Sequence, residues 1–298
     1  MRKIIRFLKY IAGRCFVIIF VSILAIVLLQ DFIILPYFRE SLIHRYFGRG
    51  STAVELGPEV TQIFVSSPLG RKIEIYRFQP PENKRIAGRA ALIFRGNGGP
   101  LSQYLVIAKS LAKFGATSYL VNYPGMGDSK GWPSEGKINQ DAAQVWRYIT
   151  EKEQADPNKL IVVGYSFGTG PASWLSMVRE PAAAVLLAPY PSLPEVVNTV
   201  PYYRHLAPLL WYDFPVKDYI SELKKTCLIV ATVENDQTIP KSLSDGLASL
   251  YRGQGGVWRI STADGSHDSI YSSNEPEILT ALQECESKVS GSSPVKLP

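Results

Sequence analysis

Cysteine and histidine are scarce in this sequence, with three residues of each among 298. No two cysteines form a C-x-x-C pair, and an odd number does not favour a disulfide framework, so Cys227 is expected to be a small core residue. The histidines His44, His205 and His267 are too far apart for a zinc pattern. No metal or other cofactor is therefore expected.

Basic residues are not spread evenly along the chain, whose net charge is +6. The first 30 residues contain five basic and no acidic residues, which leaves 27 basic against 26 acidic residues in the remainder. A portion this close to neutral lacks the basic surface of a nucleic-acid-binding protein, so no nucleic acid partner is expected. The length and the 46% hydrophobic content suit one α/β domain.

An apolar run from Cys15 to Leu29 contains 15 residues without a charge. A bilayer core needs about 20 helical residues, and the run approaches that length when Ile11–Arg14 are added, because Arg14 can reach the headgroups. Residues 1–30 are therefore predicted to form a cytoplasmic stub and a transmembrane signal anchor. A cleaved signal peptide is the alternative, although no small-x-small cleavage site follows the run.

The basic residues before the apolar run also predict its orientation. Positive residues stay on the cytoplasmic side, so the main domain is expected outside the cytoplasm. No Asn-x-Ser/Thr sequon occurs, which favours a bacterial envelope over a glycosylating lumen. We expect a single-pass protein of a bacterial inner membrane with a periplasmic domain, joined to the anchor by a juxtamembrane linker at 31–58.

From residue 59 onward, strand and helix patterns alternate. Short apolar or alternating runs predict strands at 62–66, 72–78, 90–94, 117–121, 160–163, 184–187, 228–231 and 257–260. Helical spacing predicts helices at 101–114, 138–153, 171–177, 241–251 and 275–284. This order predicts an α/β domain at 59–286 with a mostly parallel sheet and helices on both faces, followed by a disordered tail at 287–298.

The segment 189–225 interrupts this alternation, because it is rich in proline and aromatic residues and too long for a plain connection. It is either a small cap over a site or an irregular surface excursion. Its aromatic residues would suit the wall of an apolar substrate site or packing against the domain; they are Tyr190, Tyr202, Tyr203, Trp211 and Tyr212.

The pentapeptide Gly164-Tyr165-Ser166-Phe167-Gly168 matches G-x-S-x-G and lies between a predicted buried strand and a predicted helix. A nucleophilic serine needs such a sharp strand-to-helix turn, because the turn projects its hydroxyl above the sheet. Flanking glycines remove the Cβ clashes that would prevent the turn. Ser166 is therefore the predicted nucleophile.

An acid and a histidine follow Ser166 in the order that such a triad uses. Asp236 follows one predicted strand and His267 follows the next, and the ends of strands are where catalytic groups of open α/β sheets collect. Asp236 could instead cap the next helix, and Glu234 is a second candidate acid. Asp268 is expected to be solvated and poorly placed to bind the ring of its neighbour.

A glycine-rich loop follows the predicted strand 90–94, with the sequence Arg95-Gly96-Asn97-Gly98-Gly99. Such a loop can direct a backbone N–H at a developing oxyanion. It could also bind phosphate, but it lacks the G-x-G-x-x-G spacing and the lysine of a P-loop.

At these residues the chain resembles the α/β-hydrolase superfamily over about residues 59–285, in particular its prolyl-oligopeptidase-like and lipid or acyl-thioester hydrolase members. The matching stretches are the loop 95–98, the segment 122–129, the elbow 164–168, the acid loop with Ile239-Pro240 and the histidine loop 265–267. Two positions depart from the family pattern. Arg95 replaces the usual histidine, which could alter the oxyanion loop, and the glycine before the acid is missing, which could shift it.

The resemblance implies acyl transfer from an ester-type substrate to water, with Ser166 as nucleophile, His267 as base and Asp236 as the acid that orients it. The backbone N–H groups of Asn97 and Phe167 would bind the oxyanion. Two partners are expected. One is a small-molecule or lipid-like acyl substrate, namely a carboxylester, lipid or thioester, and the other is the membrane. A peptide hydrolase or a catalytically silent binding scaffold are the alternatives, whereas a dehalogenase or epoxide hydrolase would carry aspartate at the elbow.

Overall fold

A computed structural model describes residues 2–35, 59–201 and 203–290 of the chain. The centre of the protein is an eight-stranded sheet with the order β1-β2-β4-β3-β5-β6-β7-β8. The strands are β1 (Val60–Ser66), β2 (Lys72–Phe78), β3 (Ala90–Phe94), β4 (Thr117–Val121), β5 (Leu160–Tyr165), β6 (Ala183–Leu187), β7 (Cys227–Val233) and β8 (Val257–Thr262).

The direction of the strands confirms the predicted, mostly parallel α/β sheet. β2 pairs antiparallel with β1 and with β4. Every pair from β4 across to β8 is parallel. All residues of β3, β4, β5, β6 and β7 are buried, as expected of parallel strands with both faces covered.

Helices connect and cover the strands. They are α1 (Arg2–Leu28), α2 (Gln30–Ile34), α3 (Leu101–Lys113), α4 (Glu135–Glu151), α5 (Thr169–Arg179), α6 (Leu193–Asn198), α7 (Val216–Ser221), α8 (Lys241–Ser244), α9 (Ile270–Ser273) and α10 (Glu275–Ser290). One group of packed helices contains α4, α5 and α7, and α3 packs with α9 elsewhere on the sheet.

Two helix predictions need correction. The predicted helix 241–251 is divided into α8 and a short 3-10 helix at Leu247–Leu250, with Gly246 between them. The predicted tail begins too early, because α10 continues to Ser290. Residues 291–298 lie outside the described part of the chain.

The N-terminal segment differs from its prediction as a transmembrane anchor. Across residues 2–35, 59–201 and 203–290, no helix combines the length and the apolarity required to cross a membrane. The predicted juxtamembrane linker begins inside the folded domain, since Asp31 is only 2% exposed and Leu35 is fully buried. Residues 36–58 of that linker lie outside the described residues.

The segment 189–225 contains α6, a 3-10 helix at Arg204–Leu209 and α7. Two of its aromatic residues pack against the domain, which is one of the two predicted roles, and two others are exposed. Tyr190 and Tyr212 are buried in the domain, whereas Tyr203 and Trp211 are each 56% exposed. Tyr202 lies outside the described residues.

Cys227 and Cys285 form a disulfide that the odd number of cysteines did not predict. Their Cα atoms are 6.1 Å apart, within the usual range for a disulfide. The bond joins the start of β7 to α10 and leaves Cys15 as a free, exposed thiol. Cys227 is therefore a core residue, as predicted, but a covalently bonded one.

Candidate active site

Ser166 lies where the sequence predicts, directly after β5 and before α5. Its φ of +51° places a non-glycine residue in the left-handed region, which is the strained backbone of a nucleophile elbow. Glycine is required at both flanking positions because neighbouring atoms leave no room for a Cβ. A Cβ on Gly168 would lie 2.2 Å from the carbonyl oxygen of Phe94, and one on Gly164 would lie 2.7 Å from Ala172.

The structure brings the predicted acid and histidine together. Nδ1 of His267 lies 2.7 Å from Oδ2 of Asp236. The other carboxylate oxygen, Oδ1, accepts hydrogen bonds from the backbone N–H groups of Thr238 and Ile239, both at 2.8 Å. With Nδ1 of His267 engaged, Nε2 is the ring nitrogen left to exchange a proton with a nucleophile.

The charge of Asp236 is stabilised by these contacts. Burial alone would raise the pKa of the Asp236 carboxyl, but the hydrogen bonds from His267, Ile239 and Thr238 outweigh it and hold the pKa below its ordinary value. Asp236 therefore provides an anionic acceptor for the histidine ring.

The alternative acid, Glu234, takes no part in this pair. Its side chain is exposed and accepts a hydrogen bond from Ser261 at 2.9 Å, with Lys241 at 3.8 Å. Asp268 is exposed as well, as its position beside His267 predicts. The geometry therefore favours Asp236 over both neighbouring carboxylates.

Tyr165 connects the elbow to the histidine loop, a role that its variable position in G-x-S-x-G did not predict. Its hydroxyl donates a hydrogen bond to the backbone carbonyl oxygen of His267. The two rings meet edge to face with centroids 5.6 Å apart. Nε2 of Gln103 in turn donates to the Tyr165 hydroxyl at 3.0 Å. These contacts hold His267 beside the residue that precedes Ser166.

Arg95 supports the predicted oxyanion loop and is only 1% exposed. Its guanidinium donates to the Gly99 carbonyl oxygen at 2.6 Å and to Oδ1 of Asn122 at 2.9 Å. Asn122 extends this hydrogen-bond network, because its Nδ2 donates to the buried carboxylate of Glu74 at 2.6 Å. The amide of Asn122 thus links the buried cation of Arg95 to the buried anion of Glu74. Arg95, which departs from the family pattern, therefore attaches the loop to the core.

Two tyrosines fix the remaining backbone of the loop. The Tyr104 hydroxyl accepts a hydrogen bond from the Gly96 N–H at 3.0 Å and donates to the Gly98 carbonyl oxygen at 2.6 Å. The Tyr123 hydroxyl donates to the carbonyl oxygen of Arg95 at 2.6 Å. Asn97, the predicted oxyanion donor, occupies the exposed part of this loop.

Phe167, the other predicted oxyanion donor, is buried in an aromatic cluster. Its ring centroid is 5.5 Å from Tyr123, 5.4 Å from Phe214 and 6.3 Å from Tyr212. Tyr212 is anchored in turn by its hydroxyl, which donates to Oδ1 of Asp31 at 2.6 Å. Helix α2 therefore supports the aromatic packing behind the elbow, a contact between distant parts of the sequence that no local pattern indicated.

Within residues 2–35, 59–201 and 203–290, no three His, Cys, Asp or Glu side chains are grouped so that they could hold a metal ion.

Known proteins show similarity to this chain in sequence and in structure. A family model described as alpha/beta hydrolase fold matches residues 92–218. An uncharacterized protein of Mycobacterium tuberculosis is 30% identical over 169 residues, which are 57% of this chain and 60% of that protein. Lysophosphatidylserine lipase ABHD12 of Danio rerio is 27% identical over 181 residues, 53% of this chain and 46% of the lipase. The chain thus spans about half to three fifths of these relatives.

A solved structure with a similar fold is Est1E from Butyrivibrio proteoclasticus with ferulic acid bound. It has a TM-score of 0.60 and 16% sequence identity, and the match covers 77% of this chain and 99% of Est1E. At this identity the similarity concerns the fold.

Proposed function

Because this chain belongs to the α/β-hydrolase superfamily, we propose that it is a serine hydrolase that cleaves ester-type bonds. One observation carries the proposal: Ser166 has the left-handed backbone of a nucleophile elbow, and the residue before it binds the loop of a hydrogen-bonded Asp236–His267 pair. A binding scaffold has no need of this combination.

The proposed reaction has two steps. In the first, Oγ of Ser166 attacks the ester carbonyl carbon while Nε2 of His267 accepts the hydroxyl proton. The tetrahedral intermediate then breaks the bond to the leaving alkoxy oxygen, which takes the proton from His267 and departs as an alcohol. The acyl group remains esterified to Ser166.

In the second step, water attacks the acyl-enzyme and gives its proton to His267. Collapse of this intermediate returns the proton to Oγ of Ser166 and releases the carboxylic acid. Asp236 holds the imidazole in the required tautomer and stabilises the imidazolium, and its lowered pKa suits that role. The backbone N–H groups of Asn97 and Phe167 are proposed to bind the oxyanion in both steps.

The proposed substrate class is a carboxylester, lipid or thioester. Support comes from the similarity to a lysophosphatidylserine lipase and to Est1E, which binds ferulic acid. A peptide hydrolase is the competing reaction and would be recognised by cleavage of amide substrates. A silent scaffold would bind ligands without turnover.

Hydrolysis of matched esters, thioesters and anilides by the purified full chain tests this proposal. Ser166→Ala and His267→Ala are expected to abolish turnover of the esters. Ser173→Ala is the matched control, because Ser173 is equally buried in the adjacent helix and its hydroxyl has no hydrogen-bond partner in the described structure. Turnover that survives Ser166→Ala would refute the proposed nucleophile, and anilide cleavage alone would favour the peptide alternative.

We further propose that α1 attaches the enzyme to a membrane. Large apolar side chains of this helix are exposed, including Phe16 at 70%, Ile19 at 57% and Ile23 at 40%, and basic residues lie at its start. Cell fractionation should place the wild type with the membranes and the triple variant F16S/I19S/I23S in the supernatant. L69S is the control, since Leu69 is 75% exposed at a turn of the catalytic domain. Wild type in the supernatant would contradict attachment.

The proposed location of the catalytic domain is the periplasmic side of a bacterial inner membrane. The disulfide between Cys227 and Cys285 supports it, because such bonds persist in oxidising compartments. Thiols trapped by acid quenching of cells should show one reactive cysteine per chain, Cys15, and three after reduction, in accordance with the single disulfide. Three free thiols without reduction would contradict this location.

A further inference from the structure

A groove of about 650 Å³ opens beside the candidate site. It lies between the two loops from which that site is built, because it includes Gly99 of the oxyanion loop and Asp268, which follows His267. Its lining residues are Gly99, Pro100, Ser102, Gln103, Val106 and Asp268.

The position of the groove relative to His267 indicates which half of a substrate it would receive. In acyl transfer the histidine returns its proton to the leaving oxygen, so the leaving group departs on the histidine side. Asp268 adjoins His267 in the chain, and Gln103 hydrogen-bonds to Tyr165, whose hydroxyl holds the His267 carbonyl. The groove therefore lies beside the histidine loop, where the proposed mechanism would release the leaving alcohol.

The residues that line the groove favour a ligand with a positive charge. Among the described residues that line the groove, Asp268 is the one that carries a charge, and it is exposed. Gln103 donates from Nε2 to both the carbonyl oxygen and Oδ1 of Asp268 at 3.4 Å, which holds the carboxylate in place. None of these described lining residues is a lysine or an arginine.

Apolar surface accompanies this carboxylate. Val106 is 42% exposed, although its helix, α3, packs against the sheet. Pro100, which directly precedes this helix, also lines the groove. A carboxylate beside apolar carbon suits an ammonium group that carries methyl or methylene groups, since the charge and the carbon surface are both matched. A phosphate or carboxylate would instead be repelled by Asp268.

We propose that this groove binds the leaving group of the substrate and selects a cationic amino alcohol, through the carboxylate of Asp268. The proposal rests on the proposed esterase function and names the alcohol half of its substrate. A charge pair about 4 Å apart in water-like surroundings corresponds to a preference of about fivefold, which added salt should reduce.

Two isosteric esters test the charge preference directly. Acetylcholine and 3,3-dimethylbutyl acetate have the same shape, but only the first carries a positive charge. The measured quantity is the ratio of their kcat/KM values, taken at low salt and again at about 0.5 M salt, where exposed charges are strongly screened. The wild type is expected to prefer the cationic ester by about fivefold at low salt.

Three variants then assign the preference to one carboxylate. Asp268→Asn should bring the ratio close to one, and Asp268→Glu should retain most of the preference, because it keeps the charge. Glu222→Gln is the matched control: it also removes one negative charge from an exposed residue, but one outside the groove, so the ratio should stay at the wild-type value.

A second measurement needs no variant. Choline should inhibit turnover of a p-nitrophenyl ester by the wild type more strongly than 3,3-dimethylbutanol does. Equal inhibition, equal kcat/KM for the two acetates, or a preference that survives Asp268→Asn would each overturn the proposal while leaving the esterase function intact. Failure to hydrolyse any ester would overturn both.

Discussion

The hydroxyl of Tyr165 donates a hydrogen bond to the backbone carbonyl oxygen of His267 and thereby ties the nucleophile elbow to the histidine loop. Tyr165 belongs to β5, which fixes Ser166, whereas His267 begins a short 3-10 helix more than a hundred residues later. A side chain without a proposed role in the chemistry thus links the segments that carry the proposed nucleophile and the proposed base.

Tyr165→Phe is expected to lower kcat by about three- to tenfold, because one hydrogen bond contributes about 0.5–1.5 kcal/mol to holding the loop. KM should change little, since the ring and its contact with His267 remain. Steady-state kinetics on a p-nitrophenyl ester would measure both constants. Tyr148→Phe is the matched control, as it removes a hydroxyl that binds Glu153 away from the site; a similar loss in both variants would argue against the tether.

Asp236→Asn is expected to reduce kcat by about 10⁴-fold, because an amide cannot hold the histidine in the required tautomer. Glu234→Gln should leave kcat within about twofold of the wild type, since Glu234 is exposed and contacts Ser261 rather than His267. Parallel kinetics of the two variants decide which carboxylate is the acid. A greater loss with Glu234→Gln would reverse the assignment.

Arg95→Met is expected to lower kcat by about 10²-fold, the loss that accompanies one misplaced oxyanion donor. The physical reason is that the Gly99 carbonyl oxygen and Asn122 lose their common donor. Arg95→Lys should recover part of the activity, whereas Arg85→Met, at an exposed arginine, should have no effect. Folding of each variant is checked by circular dichroism; a folded Arg95→Met enzyme with full activity would refute a supporting role.

Glu180 predicts a pH-dependent contribution to stability. Burial would raise the pKa of its carboxyl, but backbone N–H donors of Lys225, Lys224 and Thr226 and the Thr226 hydroxyl lower it below the ordinary value. The Glu180 carboxylate therefore stabilises the fold fully above its pKa in the unfolded chain, which is about 4.3. This stabilisation is lost as the pH falls through its lower pKa in the folded protein. Urea midpoints of wild type and Glu180→Gln should differ at pH 7 and converge in acid; a constant difference would contradict this.

The strands and the elbow could be predicted from the sequence because their signals are local. Continuous apolar runs identify strands that are buried on both faces, and β3 and β4 begin and end where those runs do. The elbow combines such a strand with glycines whose neighbours leave no room for a Cβ. A Cβ on Gly168 would lie 2.2 Å from the carbonyl oxygen of Phe94. Chain order selected His267 and favoured Asp236 as the acid, with Glu234 left as an alternative. In the structure, Nδ1 of His267 and Oδ2 of Asp236 lie 2.7 Å apart.

What the sequence did not predict depends on contacts between distant segments. The disulfide joins cysteines separated by 58 residues, and the Asp31–Tyr212 hydrogen bond spans 181 residues. No local periodicity encodes such pairs. The sequence indicated only that Arg95 could alter the predicted oxyanion loop. Its partner Asn122 follows β4, and Glu74, which Asn122 binds, lies on β2, so these supporting contacts became evident only in the folded sheet.

Covalent labelling of Ser166 by a fluorophosphonate tests the central claim most directly. Intact mass and peptide mapping should show one adduct on the wild-type chain, located at Ser166 and absent from Ser166→Ala. His267→Ala should slow its formation by at least about 10³-fold, because the serine loses its base. A folded wild type that acquires no adduct, or an adduct on another residue, would contradict the assignment of Ser166 as the nucleophile.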